Sequence, residues 1–278
     1  QPIFADQTSG VRTYRDLVTA VLVLKPRLEA VRGPYLGLMM PASVGASVFL
    51  LGSLFSGKTP VMVNWTAGAR ALRHSLDSLG VETVVTARAL VAKLGASGID
   101  FSGIEDRFVF VEDLLAAVTP GQKLRAAVTA RLNWAALEAA TPPGTAVVLF
   151  TSGSESLPKA VPLTHRNLLA NIADILRMGQ LEERDVTVGL LPPFHSFGLT
   201  TTVLLSWCLG LRTVFHPNPT ESALLARVVE TYKATVLFGT PTFLGGIVRV
   251  ATDRQLGSLR LAVTGAEKCP ESLFATLR

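Results

Sequence analysis

The chain has 278 residues, 49% of them hydrophobic and 17% charged, with a mean hydropathy of +0.40. Such a composition excludes intrinsic disorder and suits one large or two modest folded units. A formal charge of +5, spread along the chain and accompanied by only 7% aromatic residues, excludes nucleic acid as the expected partner.

The opening residues, QPIFADQTSG, lack an initiator Met, a basic segment and an apolar run, so they read as a cut end and not as a secretory signal. Tyr14, Leu17, Val18, Val21, Leu24 and Leu28 recur at helical spacing and predict a helix over 13–28. A strand over 36–40 and a helix over 42–55 follow. PVMVN, at 60–64, is rich in β-branched residues and predicts a strand. The alternation continues with a helix over 69–79, a strand over 83–86, a helix over 90–94 and a strand over 108–111.

Residues 116–140 are Ala-rich without a clean period, punctuated by TPG at 119–121 and TPPG at 141–144. They are expected to be irregular and to hold the boundary between subdomains 1–140 and 141–278. The second half predicts strand 146–150, a loop, helix 165–178, strand 186–190, helix 199–209 and strand 213–216. Helix 222–232, strand 235–238, helix 241–251 and strand 259–264 complete it. The expected fold class is α/β, with two similar layered subdomains whose largely parallel sheets are flanked by helices.

Two uncharged stretches, 33–57 and 186–211, have membrane-spanning length. Pro34 and Pro41 interrupt the first, and Pro192, Pro193 and His195 the second, so each is expected to be a buried strand followed by a helix. Cys208 and Cys269 show no C-x-x-C or disulfide-like spacing, which suits a reducing, cytoplasmic setting.

Two segments compete as phosphate loops. GSLFSGKT, from Gly52 to Thr59, satisfies G-x-x-x-x-G-K-[ST], with Glu112 or Asp113 as a downstream metal-holding acid. That motif needs a strand before it and a helix after it. Here helical spacing precedes Gly57 and an extended exit begins at Pro60, so a helix end closed by Gly57 and Lys58 is expected instead. LFTSGSESLPKAVPLTH, at 149–165, has the better context. A strand enters a loop of small hydroxyl and glycine residues, Lys159 supplies positive charge, and Thr164 caps a following helix.

TSGSESLPKAV resembles the signature loop of the acyl-CoA synthetase, adenylation domain and luciferase superfamily, usually T-S-G-S-T-G-x-P-K-G-V. The resemblance extends in order through TYRDL, GLMMPAS, LLPPFHSFGLT, TVLFGTPTFLGG and LAVTGAEK. MVNWTAG at 62–68, the Ser154–Glu155 pair, FHSFGLT, LFGTPTFLG and TGAEK are most similar to the acyl-acyl carrier protein synthetase module of bacterial 2-acylglycerophosphoethanolamine acyltransferase. Long-chain fatty acyl-CoA ligases are the nearest alternative. A non-catalytic acyl- or nucleotide-binding module is the alternative of another class.

The resemblance implies that Thr151, Ser152, Gly153, Ser154 and Lys159 surround the β and γ phosphates of ATP. It places His195 near the acyl carboxylate and Gly265, Ala266 and Glu267 against adenine. Residues 200–207 and 243–248 would wall an acyl channel, although core packing explains them equally well. His195 could instead be a packed histidine, and Glu267 a helix-start acid. His165 suits a helix start, while His74 and His216 carry no signal. Ser156 stands where the family often has glycine, which puts loop closure in question.

The implied cofactors are ATP and Mg²⁺, with no metal held by protein side chains alone. The implied partners are a fatty acid or other carboxylate, then acyl carrier protein or coenzyme A. Association with the inner membrane is expected only through regions beyond this chain. Arg278 precedes the family's Y-G-x-T-E segment, its ribose-binding Asp, its hinge and its C-terminal domain with a catalytic Lys. The chain is therefore expected to be an incomplete N-terminal domain that completes neither half-reaction efficiently. No H-x-x-x-x-D pattern marks an acyltransferase.

Overall fold

A computed structural model describes residues 2–151 and 157–277. Its elements run β1 (Pro2–Asp6), β2 (Gly10–Thr13), α1 (Tyr14–Glu29), β3 (Tyr35–Leu38), α2 (Val44–Phe55), β4 (Thr59–Met62), α3 (Ala69–Leu79), β5 (Val84–Thr86) and α4 (Arg88–Ala96). They continue with β6 (Phe108–Phe110), α5 (Val111–Ala116), α6 (Pro120–Leu132), α7 (Ala135–Glu138), β7 (Thr145–Phe150), β8 (Ala160–Thr164), α8 (His165–Arg177), β9 (Val186–Gly189) and α9 (Ser196–Gly198). A π-helical turn (Leu199–Leu204) leads into α10 (Leu205–Leu209), β10 (Arg212–Phe215), α11 (Ser222–Tyr232), β11 (Val236–Gly239), α12 (Pro241–Val250), α13 (Asp253–Leu256), β12 (Leu261–Thr264) and α14 (Glu271–Thr276).

Contacts divide the chain into two units, one of residues 1–13, 41–44 and 170–278, the other of 14–40 and 45–169. The second holds a sheet of order β6-β5-β3-β4-β7-β8, parallel except for the β7–β8 pair. The first holds β12-β11-β9-β10-β1-β2, parallel except for β1–β2. Each sheet therefore runs parallel and ends in one antiparallel edge strand. The α/β class and the two similar largely parallel sheets agree with the sequence reading.

The boundary expected at 140/141 differs from this division. β7 pairs with β4 in parallel through Val61 and Val148, which brings the 149–165 segment into the sheet of β3–β6. β1 pairs with β10 through Phe4 and Thr213, so the residues read as a cut end form a buried strand of the other sheet. The segment 116–140 is a second correction, because it is mostly helical. Thr119 and Pro120 start α6 where the sequence reading saw a loop: Gln122 N–H donates to Thr119 Oγ1 at 3.2 Å, and Thr119 N–H donates to Gln122 Oε1 at 3.1 Å.

Among the described residues no helix is long and apolar enough to cross a membrane. The two uncharged stretches resolve into β3 with α2 and into β9 with α9, the π turn and α10. Gly57 and Lys58 close the end of α2 as expected, Gly57 N–H donating to Leu54 O at 3.1 Å and Lys58 N–H to Ser53 O at 2.9 Å. Lys58 also donates through its ammonium to Val31 O at 2.5 Å and Gly33 O at 2.8 Å, in the loop after α1. Its ammonium is thus committed to backbone carbonyls, and the strand that the competing phosphate motif requires before it is a helix.

One buried carboxylate fixes the starts of three parallel strands in the first unit. Asp185, immediately before β9, accepts from Thr235 Oγ1 at 2.7 Å, Arg260 Nε at 2.9 Å and Glu182 N–H at 2.7 Å, and is also bonded by Arg260 Nη2. Thr235 precedes β11 and Arg260 precedes β12. Burial alone would raise the carboxyl pKa, but the bonds from Arg260, Thr235 and the Glu182 N–H outweigh it and hold the pKa below the usual range.

Asp185→Asn should cost about 3 kcal/mol, because it leaves the Arg260 guanidinium without its counter-charge. The measurement is the urea unfolding midpoint followed by far-ultraviolet circular dichroism. Since folding lowers this pKa, the stabilisation is complete above the unfolded carboxylate value of about 3.9 and is lost as pH falls through the folded value. The Asn variant should therefore lose part of the acid sensitivity of the unmodified chain.

Candidate active site

Open α/β sheets present ligand-binding loops at the carboxyl ends of their strands, above all where strand order reverses. In the first unit β9 has β10 on one side and β11 on the other, so the loop after β9 occupies that position. That loop carries His195. The neighbouring loops after β11 and β12 carry Thr240–Thr242 and Gly265–Glu267.

The turn around His195 is built by close backbone approach. His195 N–H donates to Pro192 O at 3.2 Å and Leu199 N–H to His195 O at 2.8 Å. A Cβ on Gly198 would lie 2.1 Å from Pro192 O, so only glycine permits this turn. The imidazole sits against Phe194, with ring centroids 4.7 Å apart and planes at 60°. The side chain is exposed, but desolvation on its packed side holds its pKa below the ordinary histidine value. Neither ring nitrogen has a hydrogen-bond partner among the described residues, which leaves both for a ligand.

Phe197 joins the His195 turn to the loop after β12. A Cβ on Gly265 would meet the Phe197 ring at 3.1 Å, so the glycine lets the aromatic lie directly on the backbone. The next residue, Ala266, adopts φ 67°, a left-handed conformation that costs a non-glycine residue about 1–2 kcal/mol. Glu267 accepts from Thr242 Oγ1 at 2.7 Å, and Thr240 Oγ1 caps α12 by accepting from Phe243 N–H at 3.3 Å. His195, Gly265, Ala266 and Glu267 thus lie on adjacent loops at one edge of one sheet. Phe197 and Thr242 connect them and were missed in sequence, although both lie within quoted segments. Their signal was an aromatic between His195 and Gly198, and a hydroxyl in the first turn after Thr240–Pro241.

Thr151 and Lys159 belong to the second unit, at the tip of the β7–β8 hairpin. Thr151 N–H donates to Lys159 O at 3.0 Å, and Lys159 N–H donates to Thr151 Oγ1 at 3.0 Å. The Lys159 ammonium is exposed and has no partner among the described residues. Ser152, Gly153 and Ser154, the other residues expected at phosphate, lie outside the described residues.

The expected strand–loop–helix order needs correction here. Residues 160–164 form β8, which pairs antiparallel with β7 from Phe150↔Ala160 to Thr145↔Thr164. Thr164 caps α8 as expected, with Asn167 N–H donating to its Oγ1 at 3.2 Å. A five-residue strand of roughly 17 Å nevertheless separates Lys159 from that helix start. Any phosphate donors at this tip therefore come from the hairpin itself and not from the N–H groups of α8. His165 serves structure, its Nε2 lying 3.0 Å from Pro143 O.

The model of the AMP-binding enzyme family matches residues 3–278. A long-chain-fatty-acid–CoA ligase of Bacillus subtilis is 25% identical over 289 residues, covering 93% of this chain and 51% of the relative. The inhibitor-bound N-terminal domain of FACL13 from Mycobacterium tuberculosis superposes with a TM-score of 0.78 at 19% identity, covering 99% of this chain and 68% of that one. ATP-bound MatB from Rhodopseudomonas palustris gives a TM-score of 0.75 at 19% identity, covering 99% and 54%. The chain spans about half the length of the curated relatives it matches.

An NMR titration of the imidazoles should place the His195 midpoint below the free-histidine value of about 6.5. The unfolded state then binds more protons, so this residue erodes stability as pH falls through 6.5 towards the folded value. A midpoint at or above the ordinary value would show that the neighbouring residues do not desolvate the ring.

Proposed function

We propose, from the premise that this chain belongs to the AMP-binding enzyme family, that it forms the nucleotide- and carboxylate-binding part of an ATP-dependent acyl-activating ligase. In the proposed reaction a carboxylate oxygen attacks the α-phosphorus of ATP, pyrophosphate leaves, and a thiol then takes the acyl group from the acyl-adenylate, releasing AMP. The observation that carries this reading is the gathering of His195, Gly265 and Glu267 on adjacent loops at the carboxyl edge of one sheet; the TSGSESLPKAV sequence around Lys159 supports it independently.

The residues present suit a nucleotide. Lys159 presents an ammonium without a partner among the described residues, Thr151 lies beside it, and residues 152–154 would add backbone and hydroxyl donors to the phosphates. The Phe197 ring packed on Gly265 offers an aromatic face against which a purine could stack, and the Glu267 carboxylate can accept from an exocyclic amine. His195, whose partial desolvation favours the neutral imidazole, would donate a hydrogen bond to the carboxylate or to the charge developing at phosphorus, without acting as a base. Mg²⁺ would be held mainly by the phosphates, since no carboxylate cluster able to hold a metal occurs among the described residues. Its contribution would be charge neutralisation.

For the substrate we propose a fatty acid, on the resemblance to fatty-acid-activating ligases and the apolar residues of the π turn and α12. For the acceptor we propose a carrier-protein thiol. Residues 62–68, 195–200 and 264–268 support this choice by their similarity to acyl carrier protein synthetases. Coenzyme A is the competing acceptor, and supplying the parent protein with each thiol decides between them.

Titration calorimetry with Mg²⁺–ATP tests the site in this chain. Lys159→Ala should weaken binding about 10- to 100-fold through loss of one charge-assisted contact. Lys58→Ala should leave the affinity unchanged while lowering stability through loss of its bonds to Val31 O and Gly33 O. The opposite pattern would transfer the phosphate site to Gly52–Thr59 and refute the present reading.

A further inference from the structure

Helix α6 is built inside out. Ala126 and Ala130 are buried where α6 packs on α1, whereas Leu124, Val128 and Leu132 are 67%, 48% and 80% exposed. An ordinary surface helix turns its large apolar side chains inward. At i, i+4 and i+8 these three form one outward stripe. Trp134 extends it beyond the helix end: the indole is 51% exposed, and its Nε1–H donates to Ala130 O at 3.0 Å. The helix is also firmly held, by the Thr119–Gln122 capping box and by Arg27, which donates to Ala117 O at 2.6 Å and Gln122 Oε1 at 2.9 Å.

The charges on the helix itself have one sign, and the nearest acid after it, the exposed Glu138, lies beyond Trp134 in α7. Between residues 114 and 137 the ionisable side chains are Lys123, Arg125 and Arg131, with no Asp or Glu. All three are exposed, and none has an ion-pair partner among the described residues. At 100° per residue Arg125 and Arg131 flank the stripe on its two sides. A short aliphatic ridge bordered by cations, with an indole at its end, matches the chemistry of an interfacial helix. Aliphatic side chains enter the acyl boundary, the indole lies at headgroup depth, and the long basic side chains reach anionic headgroups.

We propose that the outward face of α6, with Trp134, docks this unit on an anionic lipid surface. The face fits lipid better than a second protein. Three aliphatic side chains and one indole supply less than the about 800 Å² per partner of a stable protein interface, whereas an interfacial helix gains affinity from each flanking cation. The inference concerns a face built from α6 alone and does not depend on the proposed reaction.

The test is co-sedimentation of this chain with phosphatidylcholine vesicles, with and without phosphatidylglycerol. Binding is expected only to the anionic vesicles, falling as salt is raised. The combined K123Q, R125Q and R131Q substitutions should lower the partition constant about 100-fold. The combined L124S, V128S and L132S substitutions should lower it too, and Trp134→Phe should remove the blue shift of indole emission on binding. Circular dichroism checks that each variant is folded. Should one fail to fold, the salt titration and the Trp134 emission of otherwise unmodified protein still decide. No binding to anionic vesicles, or binding by the charge and aliphatic variants equal to that of the unmodified protein, would overturn the proposal. So would self-association through this face, seen by sedimentation velocity without vesicle binding, which would assign it to a second copy.

Discussion

The carboxylate of Asp185 is the constraint on which the geometry of the candidate site rests. It lies at the start of β9 and is held by groups that immediately precede β11 and β12. Parallel strands whose starts share one anchor have their far ends in fixed register. Here Val236 pairs with both Thr187 and Leu261. The loops that leave those ends carry His195, Thr242 and Glu267, so a charge cluster at one edge of the sheet fixes the spacing of functional groups at the other. Stability and chemistry are thereby separated along the strands: the amino edge is satisfied and buried, while the carboxyl edge keeps unused donors and acceptors.

That separation explains where the backbone departs from regular structure. Gly198 permits a contact with Pro192 O that any side chain would forbid, Ala266 is held at positive φ, and Leu199–Leu204 forms a π turn where an α-helix was expected. All three lie in, or directly after, the loops at the carboxyl edge. Local conformations of this kind persist only where the surrounding structure over-determines them. The clamped amino edge and the buried residues of β9, β11 and α12 supply that support.

Much of the architecture was legible because periodicity reports burial. The helices at 69–79 and 222–232 coincide with prediction, since leucines at helical spacing and flanking turn residues agree there. What the sequence reading missed are elements whose signals are shared with loops. β1 and β2 sit at an end without long apolar runs, and their pairing is set by distant residues such as Thr213. β8 contains Pro162 and is half exposed at a sheet edge, which is where proline is tolerated in a strand. Thr119–Pro120 reads equally as a turn and as a helix start until Gln122 closes the capping box. The candidate residues His195, Lys159 and Gly265 were legible from their motifs, but Phe197 and Thr242 act through contacts between loops far apart in sequence.

The β7–β8 hairpin changes the physical account of the proposed phosphate loop without moving it. A loop ahead of a helix would draw on several aligned peptide dipoles, and its anion affinity would survive loss of a single side chain. A hairpin tip has no such reservoir. Its attraction must come from the ammonium of Lys159, the hydroxyl of Thr151 and whatever the intervening residues supply. Antiparallel pairing through Phe150↔Ala160 and the reciprocal Thr151–Lys159 bonds place those two residues side by side before any ligand arrives. In the proposed site those two residues would need no mutual ordering on binding, and a larger share of the affinity would fall on one positive charge. Lys58, two of whose three donors already serve backbone carbonyls, has less capacity for an anion. A lysine in a phosphate-like motif is therefore distinguished by what its ammonium already bonds, which the motif itself does not encode.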